Sequence, residues 1–99
     1  MSTMPDYTGW IVQATAGRDR DGIFCVVGVD QDQVRLLLAD GKRRKASRPK
    51  RKKLGHVKVL TNHLHRFDHP AIQKLKQGEA LSDKELRRAL AAFRDQLEV

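Results

Sequence analysis

Ile23-Phe24-Cys25-Val26-Val27-Gly28-Val29, then Asp30-Gln31-Asp32, then Val34-Arg35-Leu36-Leu37-Leu38-Ala39 and Asp40-Gly41 is the stretch on which the fold turns. Both apolar runs have the length of a strand, and the first is rich in β-branched and aromatic residues that pack well on a pleated surface. The aspartates between them accept hydrogen bonds from nearby backbone amides and so favour a turn. Asp40-Gly41 is the dipeptide that most favours a two-residue hairpin connection. The stretch therefore reads as strand, turn, strand, turn, with a third strand to follow.

Toward the N-terminus, Thr15 to Gly22 carries two glycines, turn-forming Thr and Asp residues and two arginines, which predicts a loop. Trp10-Ile11-Val12 begins another strand, and residues 1–8 are a short polar lead-in. Toward the C-terminus, Lys42 to Lys45 is expected to continue as the partner strand of Leu36 to Ala39, a charged edge that discourages aggregation. Pro49 lacks a backbone donor and interrupts pairing, so the basic residues around it are expected to form a mobile loop. In His56-Val57-Lys58-Val59-Leu60 the valines point one way and His56, Lys58 and Leu60 the other. About five short strands in residues 9–62 are enough for a small closed barrel.

After Thr61-Asn62 the apolar period lengthens from two to about 3.6, which sets residues 63–99 apart as a helical appendage. Pro70 suits a first helical turn, Ile72 and Leu75 form a short stripe, and Gly78 closes the helix. Ser82 and Glu85 have the spacing of a capping box, and Leu81 and Leu86 that of a hydrophobic staple. Leu86, Ala89, Leu90, Phe93 and Leu97 then share one face, which needs a surface to bury against.

Charge is concentrated in one place. Residues 42–53 hold nine Lys and Arg and no acid; with Lys58 they account for ten of the chain's twenty cations, so the remainder is net −2 and the total of +8 is local. A segment of this composition is expected to lie on the surface and add nothing to the core. Crowded cations repel each other, and a polyanion that releases its counterions to them is the natural partner, with RNA or DNA first among polyanions. The same run also fits a solvated loop or a nuclear-targeting address.

Other functions find little in the sequence. A chain of 99 residues makes one small domain without room for a large active-site cleft. No glycine-rich phosphate loop, nucleophile elbow or pair of carboxylates in an apolar setting is present, so no enzyme activity and no cofactor are expected. His63, His65 and His69 with Asp68 have the chemistry of metal ligands, but their spacing is unspecific and no cysteine joins them; no metal site is assigned. Cys25, the single cysteine, sits in an apolar run and is expected to behave as a small hydrophobe. Tyr7, Trp10, Phe24, Phe67 and Phe93 are scattered outside the basic run, which favours contact with phosphates over stacking on bases. No apolar run has the roughly 20 residues needed to span a bilayer, and the first residues lack the pattern of a signal peptide, so a cytoplasmic location is expected.

Gly17-Arg18-Asp19 before an apolar run, Ala39-Asp40-Gly41-Lys42, and Pro49-Lys50-Arg51-Lys52-Lys53 with His56, taken in order, resemble the KOW-motif RNA-binding proteins of bacteria, relatives of the KOW-bearing large-subunit ribosomal proteins of archaea and eukaryotes. The resemblance spans roughly residues 9–62 and extends to Ile72, Leu75, Gly78 and the capped helix with Leu86 and Arg87. It implies a mainly β fold, a small SH3-like barrel of KOW type followed by two short C-terminal α-helices. It also implies binding to ribosomal or other structured RNA, in association with translation and with the ribosome as a candidate partner. The resemblance carries RNA contact to Arg18, Lys42, the lysines beside Pro49 and His56; with the other cations of the basic segment and its surroundings, the expected RNA-contacting residues are Arg18, Arg20, Lys42, Arg43, Arg44, Lys45, Arg48, Lys50, Arg51, Lys52, Lys53, His56 and Lys58. One position departs from the pattern: where the family places a glycine four residues after Gly17, this chain has Asp21. Either Asp21 takes the left-handed turn conformation or the turn re-registers onto Gly22. The alternative from another class is a protein-interaction module that meets its partner through the barrel or the last helix, since fold does not fix function.

Overall fold

A computed structural model describes residues 5–62 and 65–97; His63 and the first four residues of the lead-in lie outside them. Five strands form one antiparallel sheet: β1 (Ile11–Ala14), β2 (Ile23–Asp30), β3 (Arg35–Ala39), β4 (Lys50–Lys52) and β5 (Val57–Val59). Their order across the sheet is β4-β3-β2-β1-β5. Among the described residues no ladder joins the edge strands β4 and β5, so the sheet is not closed. Two helices follow, α1 (Pro70–Lys76) and α2 (Asp83–Leu97).

The fourth strand is not the one expected. Lys42 to Lys45 does not pair with β3; Lys50, Arg51 and Lys52 do, opposite Leu38, Leu37 and Leu36. Asp40 is the cause. Its Oδ1 accepts the amides of Lys42 and Arg44, both at 2.9 Å. The amides of Asp40 and Gly41 in turn donate to the Arg44 carbonyl. This aspartate-headed loop is wider than a two-residue hairpin and carries the chain away from β3 until Pro49, immediately before β4, where a missing amide costs the ladder nothing.

Both faces of the sheet are buried, which is why the central strands read as apolar runs instead of alternating. One face gathers Val12, Ala14, Phe24, Val26, Leu36 and Leu38, with Val57 and Val59 packed against them. Residues of β3 and β5 meet in this cluster although the strands are not neighbours, so the sheet curls around it. The other face places Ile11, Cys25 and Ala39 against Ala71, Ile72 and Leu75 of α1 and Leu86, Ala89, Leu90 and Phe93 of α2. Cys25 is fully buried there, and burial pushes its thiol up to about 12. A bulge at Val27, between the pairs Val26–Leu38 and Gly28–Leu37, shifts the alternation of β2 by one residue. In consequence Val29, and not Gly28, joins the cluster on the curled face.

The helices begin and end as their local signals predict. Pro70 occupies the first turn of α1, whose N-cap is His69: ring Nδ1 accepts the Ala71 amide at 3.1 Å. Gly78, at φ +84, follows its C-terminus. In α2 the capping box is complete, with the Glu85 amide donating to Ser82 Oγ and the Ser82 amide to Glu85 Oε1, each at 3.1 Å. Leu81 and Leu86 are both buried, as a staple requires. Leu97 departs from the expected stripe: at the far end of α2 it is 57% exposed, beyond the surface the helix packs on.

Candidate nucleic-acid interface

Three carboxylates hold the basic segment in place. Asp40 shapes its first turn through the amides of Lys42 and Arg44. Asp83, in the first turn of α2, accepts the Ala46 amide on Oδ1 at 2.7 Å, and Arg87 Nη1 donates to the Gly41 carbonyl at 2.7 Å. Asp19 is buried and takes the Arg44 guanidinium through Nη2 at 2.7 Å and Nε at 3.2 Å. The bond from Arg44 holds the Asp19 carboxyl below the usual carboxylate range against the opposing pull of burial, and Lys52 and Lys50 add to the effect. The expected mobile loop around Pro49 is thus a tied one, because acids distant in sequence reach it.

The thirteen expected contact residues fall into different classes. Lys42, Arg43, Lys45, Arg48, Lys50 and Lys53 are exposed, and among the described residues their side chains make no hydrogen bond or ion pair. Arg18, Arg20, His56 and Lys58 are also exposed, the first two in the β1–β2 turn, His56 in the short helical turn Leu54–His56 and Lys58 on β5. Arg51 is exposed but engaged, with Nε 3.0 Å from Asp30 Oδ2. Arg44 is half-buried on Asp19.

Lys52 corrects the expectation that this segment adds nothing to the core. It is 8% exposed, and its Nζ donates to the Ala16 carbonyl at 2.7 Å. Its side chain alternates inward from an edge strand, and a lysine stem can be buried while its head finds an acceptor. Lys52 and Arg44 therefore organise the site and are not free to hold a ligand.

The β1–β2 turn keeps its register at Asp21. That residue adopts φ +70, its amide donates to the Ala14 carbonyl at 2.8 Å, and Gly22 needs no positive φ. Arg18 and Arg20 project from this turn. Arg20 then shares a cleft of about 500 Å3 with Lys42 and Arg43 and with Arg87 and Arg94 of α2. The two helix arginines are not among the residues expected from the sequence, where they read as the polar side of an amphipathic helix. The available signal is their seven-residue spacing, which places both on one side of α2.

The aromatic side chains are occupied elsewhere. Tyr7 and Trp10 meet edge to face, with centroids 4.5 Å apart, beside the curled face of the sheet, and Phe67 and Phe93 do so at 5.3 Å in the helix-covered core. His69 stacks on Phe67 at 5.9 Å while capping α1. Among the described residues no three His, Cys, Asp or Glu side chains converge on a point, and no helix is long and apolar enough to cross a membrane. No protein-family model and no curated protein matches the chain.

Proposed function

We propose that this chain is a non-catalytic, cytoplasmic RNA-binding protein of KOW type that holds ribosomal or other structured RNA by its phosphates and works in association with translation. One observation carries the reading: six cations, Lys42, Arg43, Lys45, Arg48, Lys50 and Lys53, stand exposed and unpaired on a segment tied down by Asp19, Asp40 and Asp83. Like charges crowded on a fixed frame favour a ligand that supplies anions at regular spacing, and a frame already ordered loses little entropy on binding. The arrangement offers phosphate contacts and no free stacking platform, so affinity is expected to vary little with base sequence.

The SH3-like barrel belongs to the same proposal. Its support is the curled sheet, together with the chain's passage from edge strand β4 to edge strand β5 through the single turn Leu54–His56, which brings the two edges close. Lys52 Nζ to the Ala16 carbonyl also joins β4 to the segment leaving β1, and the Thr15 amide to the His56 carbonyl at 2.9 Å carries the β1–β5 pairing one step further.

The test is to replace Lys45, Arg48, Lys50 and Lys53 together by glutamine, since among the described residues none of these side chains is hydrogen-bonded or ion-paired. Log affinity for a structured RNA plotted against log salt should flatten by roughly 0.7 to 0.9 for every phosphate that these side chains no longer neutralise, similarly across RNA sequences. Unchanged affinity and slope would remove the main support for RNA binding. A second reading, a protein-interaction module, is favoured by a groove of about 890 Å3 whose walls include Val27, Leu37, Pro49, Leu75 and Leu81. Partner capture that survives high salt and nuclease would move it ahead.

A further inference from the structure

The cleft between the β1–β2 turn, the loop after β3 and α2 is lined mainly by charged side chains. Arg20, Lys42, Arg43, Arg87 and Arg94 line it from three separate elements. Two carboxylates line it as well, Asp21 and Asp40, but Asp40 Oδ1 is committed to the amides of Lys42 and Arg44. Among the described residues none of the five cations is in an ion pair. Only Arg87 has a side-chain bond, from Nη1 to the Gly41 carbonyl, which leaves Nε and Nη2 for another acceptor.

The walls of the cleft are fixed relative to each other. α2 is anchored by Leu86, Ala89, Leu90 and Phe93, and the Asp83 carboxylate and Arg87 guanidinium bind the facing loop directly. Five cations against two carboxylates leave the cleft net positive, and an anion placed among the cations relieves their repulsion. No aromatic side chain lines the cleft, so a base would find nothing there to stack on. A guanidinium fork is the group best matched to the paired oxygens of a phosphate.

We infer that this cleft seats a phosphodiester segment of the bound RNA, with Arg87 and Arg94 making α2 one wall of the interface. The C-terminal helix thereby grips the same RNA as the basic loop. This deepens the proposed function and rests on it. It also gives α2 two roles, because the face carrying Leu86 and Phe93 stabilises the fold while the side carrying Arg87 and Arg94 holds ligand.

The experiment uses the full chain and a structured RNA hairpin. Arg20→Gln with Arg94→Gln removes two cations from the cleft without breaking a side-chain bond among the described residues; Lys84→Gln with Arg88→Gln removes two from α2 outside it. The cleft pair should lower affinity at about 0.1 M salt by roughly tenfold or more and flatten the salt slope by roughly 1.4 to 1.8. The control pair should change affinity by no more than about twofold, since screened charges away from the contact matter little. A cleft pair that behaves like the control overturns the inference, and if the four-residue loop variant still loses affinity, the RNA-binding reading stands without it. Wild-type protein that binds no RNA overturns both. Inorganic pyrophosphate that shifts the Arg94 side-chain NMR signals, in a protein whose RNA affinity ignores the cleft pair, would assign the cleft to free phosphate compounds and overturn the RNA assignment.

Discussion

Gly41 has φ +78, and a Cβ built on it would overlap the carbonyl oxygen of Asp83 at the start of α2. Two independent costs therefore attach to any side chain at this position: the left-handed backbone and the loss of close approach between loop and helix. Gly41→Ala is expected to destabilise the protein by about 2–4 kcal/mol in urea denaturation, the sum of a conformational and an overpacking term. A loss under about 1 kcal/mol would show that the loop can back away from the helix. The sequence made part of this legible, since Asp-Gly announces a turn, but the identity of the group pressing on Gly41 comes from a residue some forty positions later. Asp21 was legible only in part: the sequence left open whether it or Gly22 would carry the turn, and Asp21 does, at φ +70. Val34 was not. A β-branched residue at φ +53 contradicts its own preference, and it is held there by the four-residue turn in which Asp30 Oδ1 accepts the Gln33 amide at 3.1 Å.

Elements were readable from the sequence wherever their signals are local. Ser82 and Glu85 cap α2 because the partners lie within one turn of each other, and Leu86, Ala89, Leu90 and Phe93 are buried because helical spacing puts them on one face. The position of β4 was not readable because three consecutive cations carry no alternation; the free edge of β3 decides where that strand forms, and Asp40 nearby, with Asp19 and Asp83 far off in sequence, decides where the loop before it goes. The bulge at Val27 had only the faint signal of a glycine inside an apolar run. Glu85 shows both kinds of information at once. Beyond the cap, its Oε2 receives Lys74 Nζ at 2.7 Å and ties α1 to α2. The Lys74 bond, followed by the Ser82 amide, lowers the Glu85 carboxyl from 4.5 to about 2. A carboxyl whose pKa is depressed on folding contributes stability that is fully present above its ordinary value and is lost as pH falls through the folded one. The melting temperature of the wild type should accordingly fall from about pH 4.5 toward pH 2 more steeply than that of Glu85→Gln, with the gap between them narrowing as acid is added. The lowered carboxyls of Asp19 and Asp30 act in both proteins and drop out of the comparison. Parallel curves would mean that the Lys74–Glu85 pair contributes nothing measurable.

For the molecule as a whole, the basic segment holds tied and free cations that composition cannot separate. Lys52 and Lys53 are adjacent and chemically identical, and the sequence offers no reason to treat them differently. In the folded protein Lys53 is exposed without a side-chain partner, whereas Lys52 is 8% exposed and binds the Ala16 carbonyl beside Gly17 at 2.7 Å. Lys52 thus joins edge strand β4 to the β1–β2 turn across the open side of the sheet, where no ladder does so. Its charge also helps to keep buried Asp19 ionised, and Asp19 in turn holds Arg44 in the basic loop. Lys52→Met preserves the apolar stem but leaves the Ala16 carbonyl without this donor, a loss worth about 1–3 kcal/mol. The melting temperature should fall by at least about 4 °C for a domain of this size. Lys53→Gln should leave it unchanged and instead flatten the salt dependence of RNA binding by roughly 0.7 to 0.9, the share of one phosphate. Thermal melts and RNA titrations of the two single variants, run side by side, check both halves. Equal melting temperatures would mean that Lys52 is as solvated as its neighbour and that the sheet's open side is not held by it. A salt slope that ignores Lys53 would remove that residue from the interface while leaving the structural role of Lys52 intact.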